Sequence, residues 1–258
     1  GLAGTSIPFN FNDIESLREK IRGSENEIAA IIIEPARGQD APKKYLTELR
    51  EIANEIGAVL IFDEITSGYR ECSGGIHRKY GIYPDVAIFA KSMANGYAMS
   101  AIIGTEDVMQ SVQKTFVSST NWTDRVGPSA ALATLKKYEK TKTDKHIVSI
   151  GLKTQTIWQE AAKKTGLDID VSGLPALSSF SFKNKYSQEL NTRFVEEMLQ
   201  RGFLGFRQFK PSLSHTDSEL EQYKTAVEDV FKILVNLPED KILNSEMAHT
   251  RFSYLTDE

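Results

Sequence analysis

Two short apolar runs, residues 28–33 and 58–62, flank a stretch in which Leu46, Leu49, Ile52, Ala53 and Ile56 recur at helical spacing. Near-continuous apolar strands are what burial on both sheet faces produces, and parallel strands can be joined only through a crossover such as this helix. The chain is thereby held to a β-α-β unit and to an α/β sheet layered with helices. Runs at 86–90 and 98–103 add two strands, separated by Ala94-Asn95-Gly96-Tyr97, whose Asn-Gly pair suits a type I′ turn. Residues 12–21 read as an earlier helix, capped by Asn12 or Asp13 and stopped at Gly23.

Residues 125–140 and 147–162 have helical patterns. Beyond Gly166 the character changes: 177–182 alternates as a half-exposed strand does, and 190–201 and 220–234 are again helical. A boundary near Ile150 gives two domains, residues 1–150 and a smaller α+β unit at 151–258.

A 40% hydrophobic and 26% charged composition leaves ample material for packed cores. The net charge of -4 provides no basic field for nucleic acid or an anionic membrane, which leaves a small molecule as the expected partner. Cys72 stands alone, so neither a disulfide framework nor a cysteine zinc site is available, and His77, His146, His215 and His249 lack ligand spacing; no metal is expected. No apolar stretch reaches the roughly 18 residues of a bilayer span, and a cytoplasmic location is the expectation. The chain opens at Gly1 inside a loop-like segment, which reads as a fragment.

Asp63 closes the second apolar run, and Lys91 closes the third. In an open α/β sheet the ligand crevice lies outside the carboxyl ends of the strands. A lysine there beside an acid suggests an amine that acts covalently on a carbonyl. Plainer readings stay open: Lys91 as a snorkelling surface lysine, Asp63 as a turn or cap carboxylate. A carboxylate in such a crevice calls for a cationic partner, and a protonated heterocycle nitrogen would serve.

Asp63-Glu64-Ile65-Thr66-Ser67-Gly68-Tyr69-Arg70, then Gly74-Gly75, Tyr80-Gly81-Ile82-Tyr83-Pro84-Asp85, Lys91, Asn95-Gly96 and Ala101-Ile102-Ile103-Gly104, together resemble the class III pyridoxal-phosphate aminotransferases of fold type I. Within these the string is most similar to the glutamate-1-semialdehyde aminomutase group, and the resemblance runs from about Phe9 to Leu234. It implies a PLP-transferase-like large domain with a mixed, mostly parallel sheet and a smaller C-terminal α+β domain. It further implies pyridoxal 5'-phosphate as cofactor, a small-molecule amino donor, a keto or aldehyde acceptor, and a homodimer. Lys91 matches the lysine that carries the cofactor as an internal aldimine and later moves a proton. Asp63 matches the acid paired with the pyridine nitrogen, and Ile65 the aliphatic residue packed on one ring face, with plain core packing as the lesser alternative for Ile65. Glu34-Pro35 matches the motif after the preceding strand, where Glu34 can equally cap a turn. Thr123 lies where the family threonine reaches the cofactor phosphate of the other subunit, with Ser119 and Thr120 as competing candidates.

Three departures accompany the match. Asp124 and Arg125 follow Thr123 where the family has an aromatic and a small residue, and an acid beside a phosphate is repulsive unless Arg125 offsets it. The loop at 34–45 is short, leaving Arg37 either to bind an acidic substrate group or to be solvated. The family's phosphate cup and second ring-stacking residue precede the equivalent of Phe9, so this chain carries half of the cofactor shell. Whether the amino group moves between molecules or within one stays open, since both use the same lysine and acid. A non-catalytic oligomerisation or binding fragment is the alternative; a nicotinamide enzyme would need a G-x-G-x-x-G turn that no strand precedes.

Overall fold

The computed structural model describes residues 4–36, 41–118, 120 and 123–248. The chain divides into two compact units, Gly1–Lys145 and His146–Glu258.

The first unit begins with α1 (Ile14–Ile21), capped by Asp13, whose carboxylate accepts the Ser16 N–H at 3.0 Å. Then come β1 (Ala30–Ile33), α2 (Lys43–Ile56), β2 (Val59–Asp63), α3 (Ile76–Tyr80), β3 (Val86–Phe89), β4 (Ala101–Gly104), α4 (Glu106–Gln110) and α5 (Val126–Thr141). The sheet order is β1-β2-β3-β4; the first three strands are parallel and β4 pairs antiparallel with β3. The α2 helix is the expected crossover, ended by Gly57 at φ +71, a conformation that glycine adopts without a Cβ penalty. Asp85, just before β3, accepts from Arg50 Nη1 of α2 at 2.8 Å and from the Leu60 N–H of β2 at 2.7 Å, tying three elements to one carboxylate.

Burial on both sheet faces, expected for all these strands, is approached only in β3, where Val86, Ala87 and Phe89 are buried. In β2 Leu60 and Phe62 are buried, whereas Val59, Ile61 and Asp63 are half-buried; in β1 Ile31 and Ile33 are buried and Ile32 is 56% exposed. An unbroken apolar run does not reveal which face is covered, and here β1 and β2 bury one face among the described residues.

The second unit contains most of α6 (Thr143–Thr165), separated from α5 by Lys142 in the left-handed region at φ +50. It continues with β5 (Ile169–Ser172), β6 (Ser178–Phe182), α7 (Ser187–Gln200), β7 (Gln208–Phe209) and α8 (Asp217–Asn236). The strands form an antiparallel sheet in the order β5-β6-β7. Its core gathers Trp158, Phe180, Phe194 and Phe231, with Phe180 edge-on to Phe182 and Phe194. Trp158 Nε1 donates to the Tyr223 hydroxyl at 2.9 Å, giving a buried indole the partner it needs. A capping box of Thr216 and Glu219 starts α8. No described helix is long and apolar enough to cross a membrane.

Candidate functional site

Asp63 ends β2, and its register partner in β3 is Ile88, three residues before Lys91. Because β2 and β3 are parallel neighbours, the acid and the lysine both emerge at the carboxyl edge of the sheet, the edge at which open α/β sheets place their ligands. Lys91 opens a short 3-10 turn (Lys91–Met93) and has φ +45. A left-handed lysine costs roughly 1–2 kcal/mol, strain of a kind that gathers at functional sites. Beyond it Asn95 and Gly96 have φ +49 and +101, and the Tyr97 N–H meets the Ala94 carbonyl at 3.2 Å, the turn that Asn-Gly encodes. This segment is anchored by Met93 and Ala94, buried with Phe89 and with Ala131 of α5.

The lysine side chain is exposed, and its Nζ donates to Thr66 Oγ1 at 2.8 Å. The loop that presents Thr66 is pinned on both sides. Asp63 Oδ1 accepts the Ile65 N–H at 3.0 Å, and Ser67 Oγ donates to Glu64 at 2.6 Å. Arg70 Nε also donates to the Thr66 carbonyl at 3.1 Å. Gly68 completes the turn, because a Cβ there would lie 2.6 Å from the Phe89 ring and 2.7 Å from the Glu64 carbonyl.

Glu64 is fully buried. Its carboxylate accepts from Ser67 Oγ, from the His77 N–H at 3.2 Å and lies 3.0 Å from His77 Nδ1. Burial pushes its pKa up, yet the hydrogen bonds from His77, Ser67 and the Ile76 and His77 backbone together outweigh burial and hold it below the ordinary carboxylate value. Gly75 makes room for this group, since a Cβ would sit 2.3–2.8 Å from the Glu64 carboxylate atoms. The nearby Cys72 thiol is pushed up chiefly by burial and donates to the Gly75 carbonyl at 3.1 Å, both of which favour the protonated form.

Sequence reasoning gave no role to Glu64, Ser67 or Thr66, and weighed His77 only as a metal ligand. The signal for Glu64 was available: Leu60, Phe62 and Glu64 share one parity and lie on the buried side, whereas Val59, Ile61 and Asp63 share the other. Thr66 meets Lys91 across 25 positions of sequence, a contact set by strand order.

Of the other candidates, Ile65 is half-buried and joins the cluster only through its backbone N–H to Asp63, and Glu34 is half-buried directly after β1. Thr120 and Thr123 are exposed ahead of α5; Ser119 and Arg37 lie outside the described residues. Asp124 Oδ1 accepts the Val126 N–H at 2.9 Å, so this acid serves locally to start α5. Among the described residues no group of three or more His, Cys, Asp or Glu is placed to hold a metal.

The donor set fits a covalently held, cationic heterocycle. Lys91 offers an exposed primary amine, and Asp63 is a half-buried carboxylate with one oxygen engaged by a backbone N–H and no ion pair among the described residues. A carboxylate placed so can accept a charge-assisted hydrogen bond from a protonated ring nitrogen.

A sequence profile described as Aminotransferase class-III matches residues 7–231. The 3-aminobutyryl-CoA aminotransferase of Cloacimonas acidaminovorans (strain Evry) is 29% identical over 245 residues, covering 88% of this chain and 58% of that protein. The glutamate-1-semialdehyde 2,1-aminomutase of Ignicoccus hospitalis is 29% identical over 244 residues, covering 87% and 58%. In structure, the FumI protein of Sphingopyxis sp. MTA144, in its PLP internal aldimine form, superposes with a TM-score of 0.85 at 21% identity, over 92% of this chain and 60% of that one. An omega-transaminase from Sphaerobacter thermophilus gives 0.80 at 22%, over 87% and 56%. The chain thus spans about 58% of the length of the curated relatives it matches. These likenesses establish the expected fold, an α/β transaminase architecture of fold type I with a mixed, mostly parallel sheet.

Proposed function

The chain belongs to the class-III aminotransferase family, and from that premise we propose that it takes part in pyridoxal 5'-phosphate-dependent transfer of an amino group from a small-molecule donor to a keto or aldehyde acceptor. The observation that carries this reading is the pairing of an exposed Lys91 amine with an Asp63 carboxylate that has no ion-pair partner among the described residues, both at the carboxyl edge of neighbouring parallel strands. When bound, pyridoxal phosphate supplies an electron sink that eases removal of the proton from the carbon bearing the amine.

In this reading the first unit is the cofactor-binding domain and the second the smaller C-terminal domain. Lys91 Nζ holds the group covalently, and once released and neutral it carries a proton as general base and then general acid. The Asp63 carboxylate accepts the ring N–H and keeps that nitrogen cationic, a charge-assisted bond of about 1.5–3 kcal/mol. Ile65 packs against the ring, Glu34 borders the crevice, and Thr123 extends to the phosphate held by a second copy of the chain in a homodimer. Reaction inside the cytoplasm suits a reduced Cys72. Transfer within one molecule, as by the aminomutase relatives, and transfer between two molecules need the same lysine and acid.

The test is to reduce the protein with borohydride in the presence of pyridoxal phosphate and map the label by peptide mass. Label on Lys91, lost together with visible absorbance and turnover in Lys91→Ala, is the expected result. Label recovered elsewhere, or turnover surviving in that variant, would refute the assignment.

A further inference from the structure

We propose that Thr66 is a positioning residue for Lys91: its hydroxyl receives the ε-amine whenever that amine is not engaged with a carbonyl, and so keeps it in the crevice. This rests on the function proposed above. A lysine ends in a compact group on a flexible four-carbon stem, and an exposed one is free to rotate away from the site where it must react. Here Nζ instead lies 2.8 Å from Thr66 Oγ1.

The post that receives it is rigid. Ile65 before Thr66 is fixed to Asp63 through its N–H, Ser67 after it is fixed to the buried Glu64, and the Thr66 carbonyl is held by Arg70. Thr66 is β-branched, so its χ1 is restricted as well.

The chemistry of a hydroxyl suits a lysine that must react neutral. A carboxylate partner would favour the charged form and so oppose nucleophilic or basic action. A hydroxyl accepts from an ammonium and, with the amine neutral, can equally donate its own hydrogen to the nitrogen lone pair. Among the described residues Lys91 makes no ion pair; the group that receives its amine is the neutral Thr66 hydroxyl, and the Asp63 carboxylate is left without an ion-pair partner.

The experiment compares wild type, Thr66→Ser and the isosteric Thr66→Val. In protein free of pyridoxal phosphate, trace acetic anhydride labels Lys91 in competition with the exposed Lys44, and mass spectrometry reads the ratio. Losing one hydrogen bond frees the amine, and the Lys91 to Lys44 ratio is expected to rise about two- to tenfold in Thr66→Val while Thr66→Ser stays at the wild-type value. In the loaded protein kcat is expected to fall by a similar factor in Thr66→Val, with KM unchanged and the serine variant rescued. An unchanged ratio in Thr66→Val, or serine behaving as valine, overturns the proposal. Borohydride mapping on the same samples separates the two readings: label elsewhere than Lys91 overturns the proposed function and this role with it, whereas label on Lys91 with an unresponsive ratio overturns only the role of Thr66.

Discussion

Replacing Glu64 with glutamine changes one oxygen to an amide nitrogen at a site with no access to water, and its consequence can be worked out bond by bond. The native carboxylate receives Ser67 Oγ, the His77 N–H and His77 Nδ1 at 2.6, 3.2 and 3.0 Å. Glutamine keeps one acceptor for His77 but turns an N–H donor toward Ser67, which must reverse its own bond. Each bond loses its charge-assisted part, about 1 kcal/mol, and relief from burying a charge offsets some of the sum. Because the folded protein holds this carboxylate below its ordinary value, the hydrogen bonds exceed the burial cost, and a net loss of about 1–2 kcal/mol is expected at pH 7. The sign of the pH dependence follows. A depressed carboxylate contributes stability above its unfolded value, about 4.3, and loses it as pH falls through the lower folded value. Urea unfolding followed by circular dichroism should therefore show a wild-type advantage at pH 7 that narrows as pH falls below about 4. No difference at pH 7, or a gap that keeps widening below about pH 4, would show Glu64 to be buried as a neutral acid.

Gly75→Ala forces a Cβ to within 2.3–2.8 Å of the same carboxylate and should cost about 1–3 kcal/mol, read as a lower melting temperature; a melt equal to wild type would mean that the Glu64 pocket can yield. In the second unit, Trp158→Phe removes the donor to Tyr223 and strands a buried hydroxyl, with an expected loss of about 1–3 kcal/mol by urea unfolding. Thr216→Ala should weaken the start of α8 by about 1 kcal/mol while Thr216→Ser does not, a contrast that hydrogen exchange of the first helical turn can resolve.

Much of the architecture was legible where a period persisted over several turns. Leu46, Leu49, Ile52 and Ala53 mark the buried stripe of α2, and the alternation across 177–182 foretells β6. The glycine and asparagine at 95–96 announced a turn because positive φ is inexpensive for those residues. Segments too short to show a period were missed: β7 has two residues, and Ile169–Ser172 alternates over only four. That Asp63 and Lys91 end neighbouring strands was readable because charges that close apolar runs are conspicuous. Thr66 and His77 were not, since a hydroxyl and an imidazole acquire their meaning only from what the sheet order brings within 3 Å of them.

Asp63 and Glu64 stand side by side in the chain yet belong to different environments, one on the half-open side of β2 and one sealed beneath it. Only the parity of the strand decides which acid goes where. A single-codon insertion or deletion between Val59 and Phe62 would trade their places, while a change of two codons would preserve them. Lineages of this chain should therefore tolerate length drift in the surrounding loops far more readily than in those four positions.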